Sequence, residues 1–332
     1  IMQGLFSPQL IAAMREALAN NRQIILFQNR RGFSNMVECK ACGWVPHCNN
    51  CDVALTYHKS LGMLTCHYCG YTYGVPHVCP SCGEHDLRGR GAGTEKIEDE
   101  IQMLFPDARV SRMDLDTTRT RNAYDRIITD FSSGKSDILI GTQMVTKGLD
   151  FDRVSVVGIL DADTMLNSPD FRAYEHAFMM MSQVSGRAGR KGQRGQVFLQ
   201  TKNVGLPLLE QVVHNDYSAF YNDLLEERRM FRYPPFYHII NVCLKHKDEQ
   251  VVETAALELA RRLRQWFGTR ILGPDKPSVA RVKQQNIRKI VIKLENKIDL
   301  AQVRLYLRQA QKQMLADKRY ATLQVFYDVD PL

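Results

Sequence analysis

The 332-residue chain has no apolar run approaching eighteen residues and no leader with a basic start and an apolar middle. Those absences predict neither a membrane-spanning helix nor secretion. Internal repeats and low-complexity runs are missing as well. So is any G-x-x-x-x-G-K-[ST] loop, the device that cradles nucleotide phosphates. Gly134-Lys-Ser136 lacks the upstream glycine, position 129 being Thr, and it precedes a strand pattern, so it reads as a turn. Asp161-Ala-Asp163 is a weak match to a magnesium-holding carboxylate pair. A strong excess of one charge is also lacking: the formal net charge is +8, with 24% charged and 44% hydrophobic residues. That composition is ordinary for a globular protein, and the length suits two or three domains.

Cysteine is the exception. Eight of the nine cysteines form four C-x-x-C pairs, Cys39/Cys42, Cys48/Cys51, Cys66/Cys69 and Cys79/Cys82. A C-x-x-C turn presents two thiolates to one metal, and two such turns complete a closed tetrahedral zinc site with no position left for catalysis. Gly43, Gly70 and Gly83 follow three of the pairs, where a positive-φ residue eases the turn. Without a secretory leader, disulfides are disfavoured. Spacing leaves three pairings open; Cys48/Cys51 with Cys66/Cys69 encloses 14 residues, a common zinc-ribbon length, and would leave Cys39/Cys42 with Cys79/Cys82 as an outer site. His47, His67 and His77 are alternative ligands that complete four-cysteine sets make unnecessary. Cys243 stands alone in an apolar strand pattern and reads as core. Two zinc ions bound by eight thiolates lower the net charge to about +4, so overall basicity is weak evidence for nucleic acid. Its distribution is stronger: residues 268–332 hold 13 Lys and Arg against 6 Asp and Glu.

Two further stretches carry chemistry. In Gln183-Val-Ser-Gly-Arg-Ala-Gly-Arg190, Gln183 and Arg187 are i, i+4 and Arg190 a further i+3, a spacing that predicts one shared helical face. Arginine's rigid, always-charged fork suits a phosphate oxygen and the charge that develops as a phosphoryl group leaves. Asp137-Ile-Leu-Ile-Gly-Thr142 reads as a buried strand, followed by Gln143-Met-Val-Thr-Lys-Gly-Leu-Asp150.

Together these segments resemble the fifth and sixth motifs of the second motor lobe of superfamily-two helicases, in order and about forty residues apart. Ile24-Ile-Leu-Phe-Gln-Asn-Arg-Arg-Gly-Phe33 precedes the cysteines and Gly93-Thr-Glu-Lys-Ile-Glu98 follows them. With Leu160-Asp-Ala-Asp163, Ser168-Pro-Asp-Phe-Arg172, Tyr233-Pro-Pro-Phe236 and Leu272-Gly-Pro274, the whole chain resembles the PriA-type (primosomal protein N-prime) replication-restart helicases. Phe33 stands where that family often has Tyr.

The resemblance implies nested zinc sites, Cys39, Cys42, Cys79 and Cys82 around one ion and Cys48, Cys51, Cys66 and Cys69 around the other. It implies Arg190 as an arginine finger, Arg187 as a second phosphate contact and Gln183 as their support. Gly148 and Asp150 would line the nucleotide, and Arg31, Thr142 and Lys147 would touch DNA. ATP and Mg²⁺ would bind against a first lobe that this chain lacks. That absence and the opening Ile1 predict the C-terminal part of a longer protein, inactive alone. The expected activity is ATP-dependent 3′–5′ unwinding at stalled or branched forks in the cytoplasm, with primosome assembly and replicative-helicase loading. Expected partners are forked and single-stranded DNA, other primosome proteins and single-stranded-DNA-binding protein. The competing readings are a non-enzymatic zinc-ribbon scaffold with a degenerate motor lobe, which the Gln183/Arg187/Arg190 set disfavours, and a branch-migrating or RNA helicase.

Strand patterns at 23–29, 108–113, 137–142, 154–160 and 195–201 alternate with helical ones at 8–20, 95–105, 120–132 and 174–188. This predicts an α/β fold with a parallel sheet; the resemblance implies that it is a RecA-like lobe over 1–35 and 89–204, with the zinc module inserted at 36–88. After a helical stretch to about 229, residues 205–332 predict β-α-β-β-α-β, a ferredoxin-like sandwich with strands at 237–245, 278–283, 287–294 and 322–329. Lys283, Arg288 and Lys289 border its central hairpin and are candidate DNA contacts.

Overall fold

The computed structural model describes residues 4–28, 36–49, 53–58, 62–66, 69–89, 94–114, 117–118, 120–142, 151–188, 195–278, 280–282 and 284–331. Helix α1 (Pro8–Ala19) starts where Ser7 accepts the Leu10 N–H and a proline takes the first helical position. It leads into β1 (Gln23–Phe27), buried at every position. The cysteine-rich module follows with β2 (Val37–Cys39), β3 (Thr56–His58), β4 (Met63–Thr65), β5 (Thr72–Gly74) and β6 (Leu87–Gly89). The chain returns through α2 (Thr94–Leu104), β7 (Val110–Met113), α3 (Arg121–Ser132), β8 (Ile138–Gly141), β9 (Val154–Ile159), α4 (Ala162–Leu166), α5 (Ala173–Ser185) and β10 (Gln196–Leu199).

The lobe's sheet runs β10-β9-β1-β8-β7, with every pairing parallel. Alternating strands and helices cover both of its faces, so two apolar clusters form. Phe6, Leu10, Met14, Ile97 and Ile101 sit on one side and Phe131, Phe178, Met181 and Leu209 on the other. The expected helical stretch after 204 is two helices, α6 (Pro207–His214) and α7 (Tyr217–Met230), divided by Asn215 at φ 53° and capped by Asp216.

The C-terminal unit comprises β11 (Tyr237–His246), α8 (Glu249–Phe267), β12 (Ile271–Asp275), β13 (Arg281–Val282), β14 (Gln285–Glu295), α9 (Leu300–Leu315) and β15 (Gln324–Val329). Its antiparallel order β12-β14-β11-β15 gives the ferredoxin-like arrangement. The second strand is 271–275 rather than 278–283. Gly273-Pro274 disguised it, a pair that a sheet tolerates here because β12 is an edge and its register shifts between Leu272 and Asp275. No helix among the described residues is long and apolar enough to cross a membrane.

Candidate functional site

The zinc module forms from four tight turns. In each, a cysteine N–H donates across the knuckle: Cys39 to Trp44 O, Cys48 to Val53 O, Cys66 to Tyr71 O and Cys79 to Glu84 O, at 2.7–2.9 Å. Gly43, Gly70 and Gly83 take φ of 77°, 74° and 80°, as the turn requires. Antiparallel β2 and β6 set Cys39 opposite Leu87, which brings the first knuckle beside the last. The β3-β4-β5 meander returns Cys66 to Cys48 in the same way.

The sulfurs of Cys39, Cys42, Cys79 and Cys82 consequently lie within 4.8 Å of one another, as do those of Cys48, Cys66 and Cys69. Cys51 lies outside the described residues. A tetrahedral Zn²⁺ with Zn–S bonds of about 2.3 Å sets its sulfurs about 3.8 Å apart. Here Cys39–Cys82 is 3.6 Å, Cys42–Cys79 3.7 Å and Cys48–Cys69 3.4 Å. The clusters fit zinc. Their electrostatics point the same way. The Cys42 N–H chiefly draws the Cys39 thiol down to about 7. The Glu84 N–H pulls on Cys82 too, but burial and the sulfurs of Cys42, Cys39 and Cys79 push it up to about 12. Four thiols this close cannot all ionise without a cation between them. His47 turns instead to the lobe, its Nε2 3.3 Å from Asn167 Oδ1, and His77 is exposed. His67 lies outside the described residues.

On the lobe, Thr142 sits at the carboxyl end of β8, 8% exposed, its N–H donating to Met113 O at 3.2 Å. Ligands bind beyond such strand ends in open α/β sheets. Gln183 is exposed in the last turn of α5. The single helical face expected for Gln183 and Arg187 does not continue. The helix ends at Ser185, and Arg187 and Ala188 donate to Val184 and Ser185 at 3.0 and 3.2 Å, in i→i+3 turns. Arg187 is half-buried. Arg190, Lys147, Gly148, Asp150 and Arg31 lie outside the described residues. Asp161 and Asp163 hold structure: Asp161 caps α4 through the Thr164 N–H at 3.1 Å, and Asp163 accepts the Lys202 N–H at 3.0 Å.

The module is joined to its neighbours. Val37, Leu55, Leu64 and Cys66 share one apolar cluster with Phe171 of the lobe, Tyr233 of the connector and Ile239 and Val291 of the C-terminal unit. Lys202, after β10, pairs with the buried Glu38 on β2. Between module and lobe lies a cleft lined by Trp44, His47, Tyr73, Asp163, Asn167 and Tyr174, among others. No sequence pattern marks it, because its walls are far apart in the chain.

Residues 48–73 match the PriA DNA helicase Cys-rich region domain, 92–192 the helicase conserved C-terminal domain, and 229–332 the primosomal protein N C-terminal domain. The replication restart protein PriA of Bacillus subtilis is 40% identical over 301 residues, 90% of this chain and 37% of that protein. Those of Synechocystis and Haemophilus influenzae are 38% and 34% identical over 99% and 100% of this chain, and 40% and 45% of their own lengths. The chain belongs to the PriA family. It corresponds to a PriA helicase C-terminal region and spans less than half the length of these relatives. A scaffold with a degenerate motor lobe is not favoured.

The PriA C-terminal unit corrects the expected DNA-facing hairpin. Arg288 is 3% exposed, its Nη2 2.9 Å from Glu249 Oε1 and its Nε paired with Glu253, so α8 occupies the guanidinium. Lys289 is largely enclosed, and burial pulls its ammonium down despite the nearby Cys243, Asp275 and Cys66. Lys283 lies outside the described residues. Cys243, expected in the core, is half-buried on the sheet face away from α8 and outside the apolar cluster there. Among the exposed cations not expected from the sequence are Arg304, Arg308 and Lys312, on the outer face of α9. Their i, i+4, i+8 spacing was the available signal.

Proposed function

We propose that this chain is the C-terminal half of an ATP-dependent 3′–5′ DNA helicase that recognises stalled or branched replication forks and restarts replication through primosome assembly and replicative-helicase loading. The observation that carries the reading is the family order on one parallel sheet. Motif residues leave the carboxyl end of β8 and the end of α5, and the Cys-rich domain is inserted after β1. ATP and Mg²⁺ bind between this lobe and a first lobe supplied by the rest of the protein, so the chain by itself is inactive. Arg190 is the arginine finger, with Arg187 on a second phosphate oxygen and Gln183 supporting them; Gly148 and Asp150 line the nucleotide. Arg31, Thr142 and Lys147 contact the DNA track.

Cys39, Cys42, Cys79 and Cys82 hold one zinc ion, and Cys48, Cys51, Cys66 and Cys69 the second. The ions supply rigidity, and the sulfurs fix the four knuckles. In the C-terminal unit the exposed α9 stripe, rather than the central hairpin, meets DNA phosphates. Other primosome proteins and single-stranded-DNA-binding protein are its protein partners in the cytoplasm. Arg190→Ala in the full-length protein tests the motor assignment. DNA-stimulated ATP turnover should fall roughly 10³-fold or more while fork binding persists. Unchanged turnover would remove Arg190 from the mechanism.

A further inference from the structure

The cleft between zinc module and lobe has a volume of about 390 Å³, within the roughly 300–1,000 Å³ usual for small-ligand sites. Trp44, His47 and Tyr73 line it from the module, and Asp163, Asn167 and Tyr174 from the lobe. Among the described residues, no Lys or Arg lines it. Asp163 does, which disfavours a phosphate or an acidic peptide inside. Four flat rings beside side-chain amides suit an uncharged heterocycle, since rings stack on its faces and amides meet its donor and acceptor edge.

Both walls are anchored. Trp44 belongs to the first knuckle, its carbonyl held by the Cys39 N–H at 2.9 Å. His47 and Asn167 meet across the boundary at 3.3 Å, and Asp163 is fixed by the Lys202 N–H at 3.0 Å. The cleft is also separate from Gln183. Tyr174 opens α5 and Gln183 lies nine residues on, about 14 Å along the axis. Lys40, exposed on the same knuckle as Trp44, provides positive charge outside for a strand's backbone.

We infer that this cleft holds one unstacked nucleobase of a single DNA strand, its phosphates remaining outside. The inference rests on the DNA-helicase reading. It makes the zinc module a reader of unpaired bases as well as a structural insert.

The test uses the full-length protein and single-stranded oligonucleotides of equal length, one intact and one abasic, so that the phosphates match. The intact strand should bind roughly tenfold more tightly, as expected from stacking a base on aromatic rings. Trp44→Ala and Tyr174→Ala should shrink that preference to about twofold, and Tyr174→Phe should restore it. A 2-aminopurine moved along the strand should be quenched at one position and recover its emission in Trp44→Ala. Zinc content and fork binding equal to wild type identify variants that remain folded. Such variants keeping the full base preference would overturn the inference. So would equal loss of intact and abasic binding, or loss confined to a protein partner. Wild-type protein that binds no forked DNA would instead remove the helicase reading, and the inference with it.

Discussion

The rings of Phe171 and Tyr233 stack with centroids 4.5 Å apart and planes 11° from parallel. One belongs to the motor lobe and the other to the connector ahead of the C-terminal unit, so the stack fastens the two together. Cations flank it: Arg172 and Arg228 lie 4.7 and 5.4 Å from the Phe171 centroid, and Lys293 Nζ is 3.8 Å from that of Tyr233. Lys293 is only 7% exposed, and it donates to Phe231 O at 2.9 Å. Tyr233→Ala should therefore destabilise the protein by about 3–5 kcal/mol in urea unfolding. A double-mutant cycle with Phe171→Ala should return a coupling of about 1 kcal/mol. Additive effects would mean that the rings only fill space.

Zinc removal should reach beyond the module. A module independent of the lobe would loosen alone on Cys39→Ser, leaving the motor sheet folded. Because Leu55 and Leu64 share a cluster with Phe171, Tyr233 and Val291, chelation should also raise amide exchange around Tyr233 and β14. The parallel sheet should keep its protection. Exchange confined to 36–88 would show that the shared cluster survives without metal.

Much of this was legible in the sequence because local pattern and tertiary context agree. The Gln-Ile-Ile-Leu-Phe run of β1 is buried throughout, and Ser7-Pro8 starts α1 as a cap should. The knuckles followed from spacing, since C-x-x-C fixes its own turn. What failed depended on distant partners. Arg288 looked like an exposed hairpin cation because Glu249 and Glu253 come from another element some 35–39 residues away. β12 hid behind Gly273-Pro274, and the i→i+3 turn after Ser185 broke a helical face that residue spacing alone predicted.

Arg288→Ala should lower stability by about 1.5–3 kcal/mol at neutral pH, the range for hydrogen bonds to charged groups, and leave DNA affinity unchanged. The Lys276 and Arg288 contacts hold the Glu249 carboxyl down to about 2, from an ordinary 4.5. A depressed carboxylate stabilises the fold above its unfolded pKa and loses that contribution as pH falls toward the folded value. Wild-type stability should thus decline between pH 4.5 and 2 more steeply than that of the variant. Parallel curves would mean that Arg288 contributes little to holding Glu249 ionised.

Replacing Arg304, Arg308 and Lys312 together with Ala should weaken fork binding by the full-length protein and reduce the slope of log K against log salt by about 2–3. Folding should be unaffected, since all three are exposed on α9. An unchanged slope would remove this helix from the DNA interface.

Gly43 and Gly83 separate knuckle strain from module docking. Both have positive φ, 77° and 80°. A Cβ on Gly43 would lie 2.4 Å from the Lys202 Cβ, whereas one on Gly83 would meet nothing within 4 Å. Gly83→Ala should therefore show only the backbone penalty of a left-handed residue, about 1–2 kcal/mol. Gly43→Ala carries that penalty and also drives the first knuckle off the lobe, where Lys202 is tethered to the buried Glu38. Its loss in thermal unfolding should exceed that of Gly83→Ala, and Lys202→Gly in the same chain should narrow the gap by removing the clash. Equal losses for the two alanine variants would mean that Lys202 yields freely, and that the apolar cluster around Phe171 alone docks the module.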